Sequence, residues 1–168
     1  MKTLLFVALC LLCGRGASAQ LSPADEKAIR ATAAHWVANL NDHRFEEMRT
    51  YTTPTLNMVN VMGMAMHGQA QVIQGYQRLF DALYQGVPFQ QSDVVVSAAG
   101  PDAAVLSDVV TRGPAPSDSV KTGTPQPWRA QKTMFLVKQQ GRWLVAAAQA
   151  TIIDAKAIKM AMAAIAKK

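Results

Sequence analysis

Asp108 and Arg112 stand four residues apart in a β-rich run, Ala103 to Arg112. In a strand both would project from the face that also carries Leu106 and Val110. A charged pair among apolar neighbours can orient a carbonyl or polarise water, with Asp108 as base and Arg112 as anion clamp. The pair would do neither on an outward face, or if Arg112 only marks where strand becomes loop. His67 is the strongest candidate for moving a proton near neutrality, since an unperturbed imidazole titrates at about 6.5. It sits where an extended stretch enters a helix, and its structural alternative is a hydrogen bond at that junction. Asn60 and Gln149 are amides within apolar runs. If buried, each must bond either a ligand or the protein itself. Trp36 and Tyr76 fall on apolar helical faces, as core or as pocket wall. Met58, Met62, Met64 and Met66 would suit an adaptable cavity wall or an ordinary core.

Several chemistries find no support. No G-x-G-x-x-G follows a strand, so there is no dinucleotide fingerprint. The three histidines lack H-x-x-x-H spacing, and no metal site is expected. The G-x-S-x-G elbow of one hydrolase class is missing too. No cofactor is called for.

The chain opens with Lys2, an unbroken apolar run of nine residues from Leu4 to Leu12, and Ala17-Ser18-Ala19. That order is a secretory signal peptide over residues 1–19, cleaved near Ala19, which makes the protein an exported, periplasmic or secreted one. Nine apolar residues fall short of the roughly 20 that span a bilayer as a helix, so no stable membrane insertion is expected. Cleavage removes both cysteines, Cys10 and Cys13, and with them disulfides and thiol chemistry. It also removes Lys2 and Arg15, leaving 15 basic against 11 acidic residues, a net charge of +4 instead of +6. These charges are scattered, and no nucleic-acid footprint emerges.

Elements that could position the candidates follow in order. Ser22 can cap a helix, with Pro23 at its first position and Asp25 and Glu26 in its first turn. Ile29, Ala33, Trp36, Val37 and Leu40 share one helical face, and Asn41 to Arg44 break the pattern. Phe45 to Tyr51 reads as a short second helix ended by Thr52-Thr53-Pro54. A strand over Asn57 to Met62, a break at Gly63 and a short extended piece to His67 lead into a third helix, Gln69 to Tyr84. The period then changes to two. Gln91–Ala99 and Ala103–Arg112 form one hairpin, and Trp128–Gln140 and Trp143–Ile153 a second, turning at Gly141-Arg142. Residues 113 to 127 hold four prolines and read as a long loop. Ala155 to Lys168 is an Ala-, Met- and Lys-rich helical tail, whose open roles are a docked helix, a lid, a dimer contact or a membrane-surface helix.

Three stretches carry a family resemblance. Ala33 to Phe45 (AAHWVANLNDHRF) looks like the first helix of SnoaL-like proteins. Met58 to Ile73 (MVNVMGMAMHGQAQVI) resembles the "FVNVxGxxxxGxxxI" stretch of the branch named for SgcJ and EcaC. Thr133 to Thr151 (TMFLVKQQGRWLVAAAQAT) is similar to that branch's closing hairpin, "TxxLVxxxGRWxIAAxQNT". The resemblance implies an α+β, nuclear-transport-factor-2-like cone over residues 20–153: about three N-terminal helices in the concave face of a bent antiparallel sheet, then a helical tail, 154–168. It further implies an apolar pocket for a small molecule and a homodimer formed through the sheet. Asn57 stands where relatives often have Asp, which makes it a candidate ligand contact. Ala150 replaces a usual Asn, and Ala148 a common aromatic. Two functions stay open: binding of a small, largely apolar molecule, or a cofactor-free enzyme performing proton abstraction next to a carbonyl, cyclisation or hydration. The oxidoreductase label attached to the resembling branch has no support in these residues.

Overall fold

A computed structural model describes residues 20–114 and 127–165. The expected leader, residues 1–19, and most of the expected proline-rich loop lie outside the described residues. Helix α1 (Pro23–Asp42) starts as its sequence demands: the Ser22 hydroxyl accepts from the Asp25 backbone N–H, and Pro23 occupies the first turn. It ends at His43, which adopts a left-handed φ of 56°. A 3-10 helix, Phe45–Thr50, follows. Strand β1 is Thr52–Val59, β2 is Ala65–His67, and α2 is Gln69–Leu83. Long hairpins come next: β3 (Phe89–Gly100) with β4 (Ala103–Arg112), then β5 (Trp128–Gln139) with β6 (Arg142–Ile152). Helix α3, Ala155–Ile165, closes the described chain with every residue exposed.

The six strands form one sheet in the order β2-β1-β6-β5-β4-β3. Its hairpins are antiparallel as expected, but β1 runs parallel to β6, so the sheet is mixed. The α+β cone stands; its uniform antiparallel pairing does not. β1 also begins at Thr52, where the sequence suggested a helix stop. Pro54 is tolerated there because the β1–β6 register shifts between Thr52 and Asn57, so its missing N–H falls in the irregular stretch. Further register shifts, at Ser92/Val95 and Phe135/Leu136, bend the long strands. The turn of the last hairpin is Gln140-Gly141, with φ of 50° and 76°, one residue earlier than expected.

Alternation decides which side chains meet the helices. In β1, Leu56 and Met58 are buried while Asn57 is exposed; in β5, Ala130, Lys132, Met134 and Leu136 are buried while Arg129, Gln131, Thr133 and Phe135 are exposed. Against this concave face pack Ile29, Ala33, Trp36 and Leu40 of α1 and Val72, Ile73, Tyr76 and Phe80 of α2. Phe80 centres an aromatic cluster, with ring centroids 4.9 Å from Phe45, 5.0 Å from Tyr84 and 5.2 Å from Phe89.

Asp25 fastens the start of α1 to the last hairpin. Its carboxylate lies 2.7 Å from the Lys138 ammonium and accepts from the Trp143 indole N–H at 2.8 Å and the Ser22 hydroxyl at 2.8 Å. These bonds, Lys138's foremost, lower its pKa from 3.8 to about 2. A depressed carboxylate stabilises the fold above its unfolded value, and that support drains away as pH falls from 3.8 to about 2. Asp25→Asn should therefore flatten the acid limb of a Tm-against-pH curve across this window. An unchanged limb would show that the latch is not what titrates.

Candidate functional site

An apolar cavity opens between the helices and the concave face of the sheet. Its walls are Trp36 and Leu40 of α1, Tyr76, Leu79 and Phe80 of α2, Tyr84, Phe89, and the inward residues Met58, Val110, Trp128, Ala130 and Ala150. It offers about 60 Å³ to the centres of water-sized molecules. Two groups on this lining can make strong polar contacts, Lys132 from β5 and Asn60 from just past the end of β1. Val61, Leu79, Trp128 and Ala150 are only partly buried and form the rim.

Lys132 is the feature that reading for acids and histidines missed. It stands mid-strand in β5 with Asp108 as its register partner on β4 and Ala150 as its partner on β6. The three lie in one row across the sheet. The Lys132 side chain is 4% exposed and that of Asp108 0%, with Nζ 3.2 Å from Oδ2. By distance this is an ion pair, but its alignment is poor for a hydrogen bond. The Gln91 side-chain amide donates to the same Asp108 oxygen. The ammonium also lies 5.8 Å from the Trp36 ring centroid. Burial pushes the Lys132 pKa below that of a free lysine, and the Asp108 carboxylate opposes that shift only in part. Among the described residues, Asp108 Oδ1 and the Asn60 amide nitrogen are buried without a hydrogen-bond partner. The Asn60 Oδ1, by contrast, accepts from the backbone N–H groups of Met62 and Met64, which fixes the amide. Buried donors without partners are rare and point to a group that arrives from outside.

The remaining candidates divide by face. Trp36, Asn60 and Tyr76 line the cavity. Burial holds the Tyr76 hydroxyl protonated far above the usual phenol range. Asp108 is inward, behind Lys132, but it is not paired with Arg112. Arg112 lies further along β4, with its guanidinium carbon 5.5 Å from the Tyr84 ring centroid and 5.2 Å from that of Trp128. It lies against two wall residues, and the carboxylate of Asp108 faces Lys132 instead. His67, Asn57 and Gln149 are corrections of another kind. All three are exposed, and Asn57 and Gln149 line a groove on the opposite face of the sheet. His67 Nδ1 bonds Asn57 Oδ1 at 2.8 Å, which is the junction hydrogen bond rather than a seat in the cleft. Each of the three neighbours an inward residue, Met66, Met58 or Ala148, and strand alternation sends it outward. No cluster of metal-ligating side chains occurs among the described residues, and none of their helices is long and apolar enough to cross a membrane.

Comparison with known proteins agrees with this architecture. Solved structures with the same fold include an uncharacterised protein with a cystatin-like fold from Caulobacter vibrioides, 17% identical, with a TM-score of 0.71 over 80% of this chain and 93% of that one. A nuclear-transport-factor-2-like protein of unknown function from Pseudomonas putida is 18% identical, with a TM-score of 0.67 over 82% and 94% of the two chains. A type 2 hexachlorocyclohexane dehydrochlorinase is 10% identical, with a TM-score of 0.68 over 78% and 86%. No curated protein matches the sequence. A model of the SnoaL-like domain matches residues 29–154, most of the chain and every residue that lines the cavity. The chain therefore belongs to the SnoaL-like domain family.

Proposed function

We propose that this is an exported binding domain that holds a small, largely apolar molecule in the cone, with one polar group of that molecule meeting Lys132 and Asn60. The single observation that carries the reading is the cavity lining: rings and aliphatic side chains everywhere except those two groups. A ligand with one acceptor would complete the free N–H bonds of Asn60 while its apolar body displaces water. The leader over residues 1–19 supports export, and the quoted SgcJ/EcaC-type stretches support placement in that branch. Pairing of two copies is proposed through the outer sheet face, supported by the exposed Val95 and Phe135 there.

Native mass spectrometry of the protein from its own host, searching for a co-purifying small molecule, tests the reading directly. A second test uses Trp36 and Trp128, two of the three tryptophans, as fluorescent reporters in the wall. Ala150→Phe, at the rim across from Lys132, should weaken binding of a small aromatic ligand by about tenfold or more, or 1.4 kcal/mol. His67→Ala, outside the cavity, should leave that affinity unchanged. Equal effects of the two would refute the assignment.

One observation favours the second reading, a cofactor-free enzyme. The Lys132–Asp108 pair is a base and an acid held at 3.2 Å in a buried cleft, an arrangement suited to proton transfer next to a carbonyl. The dehydrochlorinase of like fold supports the same reading by showing that this cone can host chemistry.

A further inference from the structure

We infer that Lys132 bonds its ligand covalently, condensing with an aldehyde or ketone in the cavity to form an imine. The inference deepens the proposed binding function and rests on it.

Four observations converge. First, the amine projects from mid-strand into an apolar cavity rather than to solvent, with its side chain 4% exposed. An imine in water hydrolyses readily; one formed in a cleft with so little room for water is protected. Second, desolvation lowers the Lys132 pKa, so more of the nucleophilic free amine is present near neutrality than at a surface lysine. Third, the residues beside it are small. Ala130 precedes it on the same face of β5, and Ala150 faces it from β6, leaving room for a carbonyl carbon. Fourth, the groups needed for the proton traffic are already there. The Asp108 carboxylate is 3.2 Å from Nζ with its second oxygen unpartnered, and the buried Asn60 amide has N–H groups to spare for a carbonyl oxygen.

The step balances without an oxidant or reductant. The neutral amine adds to the carbonyl carbon, forming the N–C bond and opening the C=O π bond onto oxygen. Asp108 accepts a proton from nitrogen and returns it to that oxygen. Asp108 then takes the second proton from nitrogen and delivers it to the hydroxyl, which leaves as water while the nitrogen lone pair forms C=N. The net change is amine plus carbonyl giving imine plus one water. A guest able to do this carries its carbonyl at one end of an apolar body of modest size. Asp108 acts here on reacting atoms, whereas Gln91, which donates to Asp108, is a positioning residue.

The test uses the full chain, benzaldehyde as probe and sodium cyanoborohydride to reduce any imine to a stable secondary amine. Labelling is followed by intact mass and peptide mapping at pH 7, alongside tryptophan fluorescence without reductant. The expected result is one dominant adduct on Lys132, at least about tenfold above surface lysines such as Lys27 and Lys156, because the cavity holds the probe beside that amine. Toluene in excess, which fills the cavity but has no carbonyl, should suppress that adduct and leave surface labelling alone. Lys132→Arg keeps the charge and should remove the adduct; should that variant fail to fold, the toluene competition on the wild type decides. Fluorescence change with no Lys132 adduct would overturn the imine and leave the binding domain standing. Neither a fluorescence change nor an adduct would overturn the imine and weigh against the pocket assignment too. Labelling spread evenly over surface lysines would equally overturn it.

Discussion

Lys132→Met should lower folding stability by about 3–5 kcal/mol, because it strands the Asp108 carboxylate in a site with no exposure. The lysine head contributes little net energy in place, since its own burial costs much of what the ion pair returns. The loss comes from what remains: a buried acid with the Gln91 amide as its side-chain donor among the described residues. Lys132→Met combined with Asp108→Leu should then recover wild-type stability or exceed it, since methionine and leucine fill similar space without charge to desolvate. Urea denaturation of the two single variants and the double variant checks this as a cycle. If the double variant is less stable than Lys132→Met alone, the pair is structural in a way its geometry does not express. If it recovers stability but loses the ligand, the pair is kept for function at a cost in stability.

The second large effect belongs to Trp36. Truncation to alanine removes a 1% exposed indole that meets Tyr76 at 6.0 Å and Tyr51 at 6.3 Å between ring centroids. A cost of about 3–5 kcal/mol is expected, the range for large aromatic deletions from a core. Trp36 also forms one wall of the cavity and lies beside the Lys132 ammonium. The variant should thus be less stable yet accept bulkier aromatic guests, measured as a lower denaturation midpoint together with new binding of a two-ring ligand. Unchanged guest size would mean that the neighbouring rings collapse into the space.

Much of the fold was legible because local chemistry and global shape agree. Ser22-Pro23 starts α1 where caps and proline predict, and Gln140-Gly141 supplies the two positive φ angles of a tight hairpin. Parallel pairing of β1 with β6 was not legible, since alternation fixes a strand's faces and says nothing of its neighbour or direction. The cavity lining was half legible. Trp36, Asn60 and Tyr76, picked out by their apolar company, line it. His67, Gln149 and Asn57 were drawn from residue type and family position, without following alternation from Met66, Ala148 and Met58. Lys132 was overlooked although a signal existed. It alternates with Ala130, Met134 and Leu136, and a lysine in phase with an inward apolar set is unusual enough to mark a site.

The Asp25 latch also sets an order in time. Its partner Trp143 lies 118 residues further along the chain, and the parallel partner of β1 is the last strand of the sheet. Closing loops of that length is slow, and neither contact exists until the final hairpin is present. Helix α1 can dock earlier on α2 and β3, through Trp36 against Tyr76 and Asn41 against Phe89, but its latch and the inner edge of β1 must wait for the last hairpin. Completion of the sheet accordingly waits on its last strand, however early the helices form.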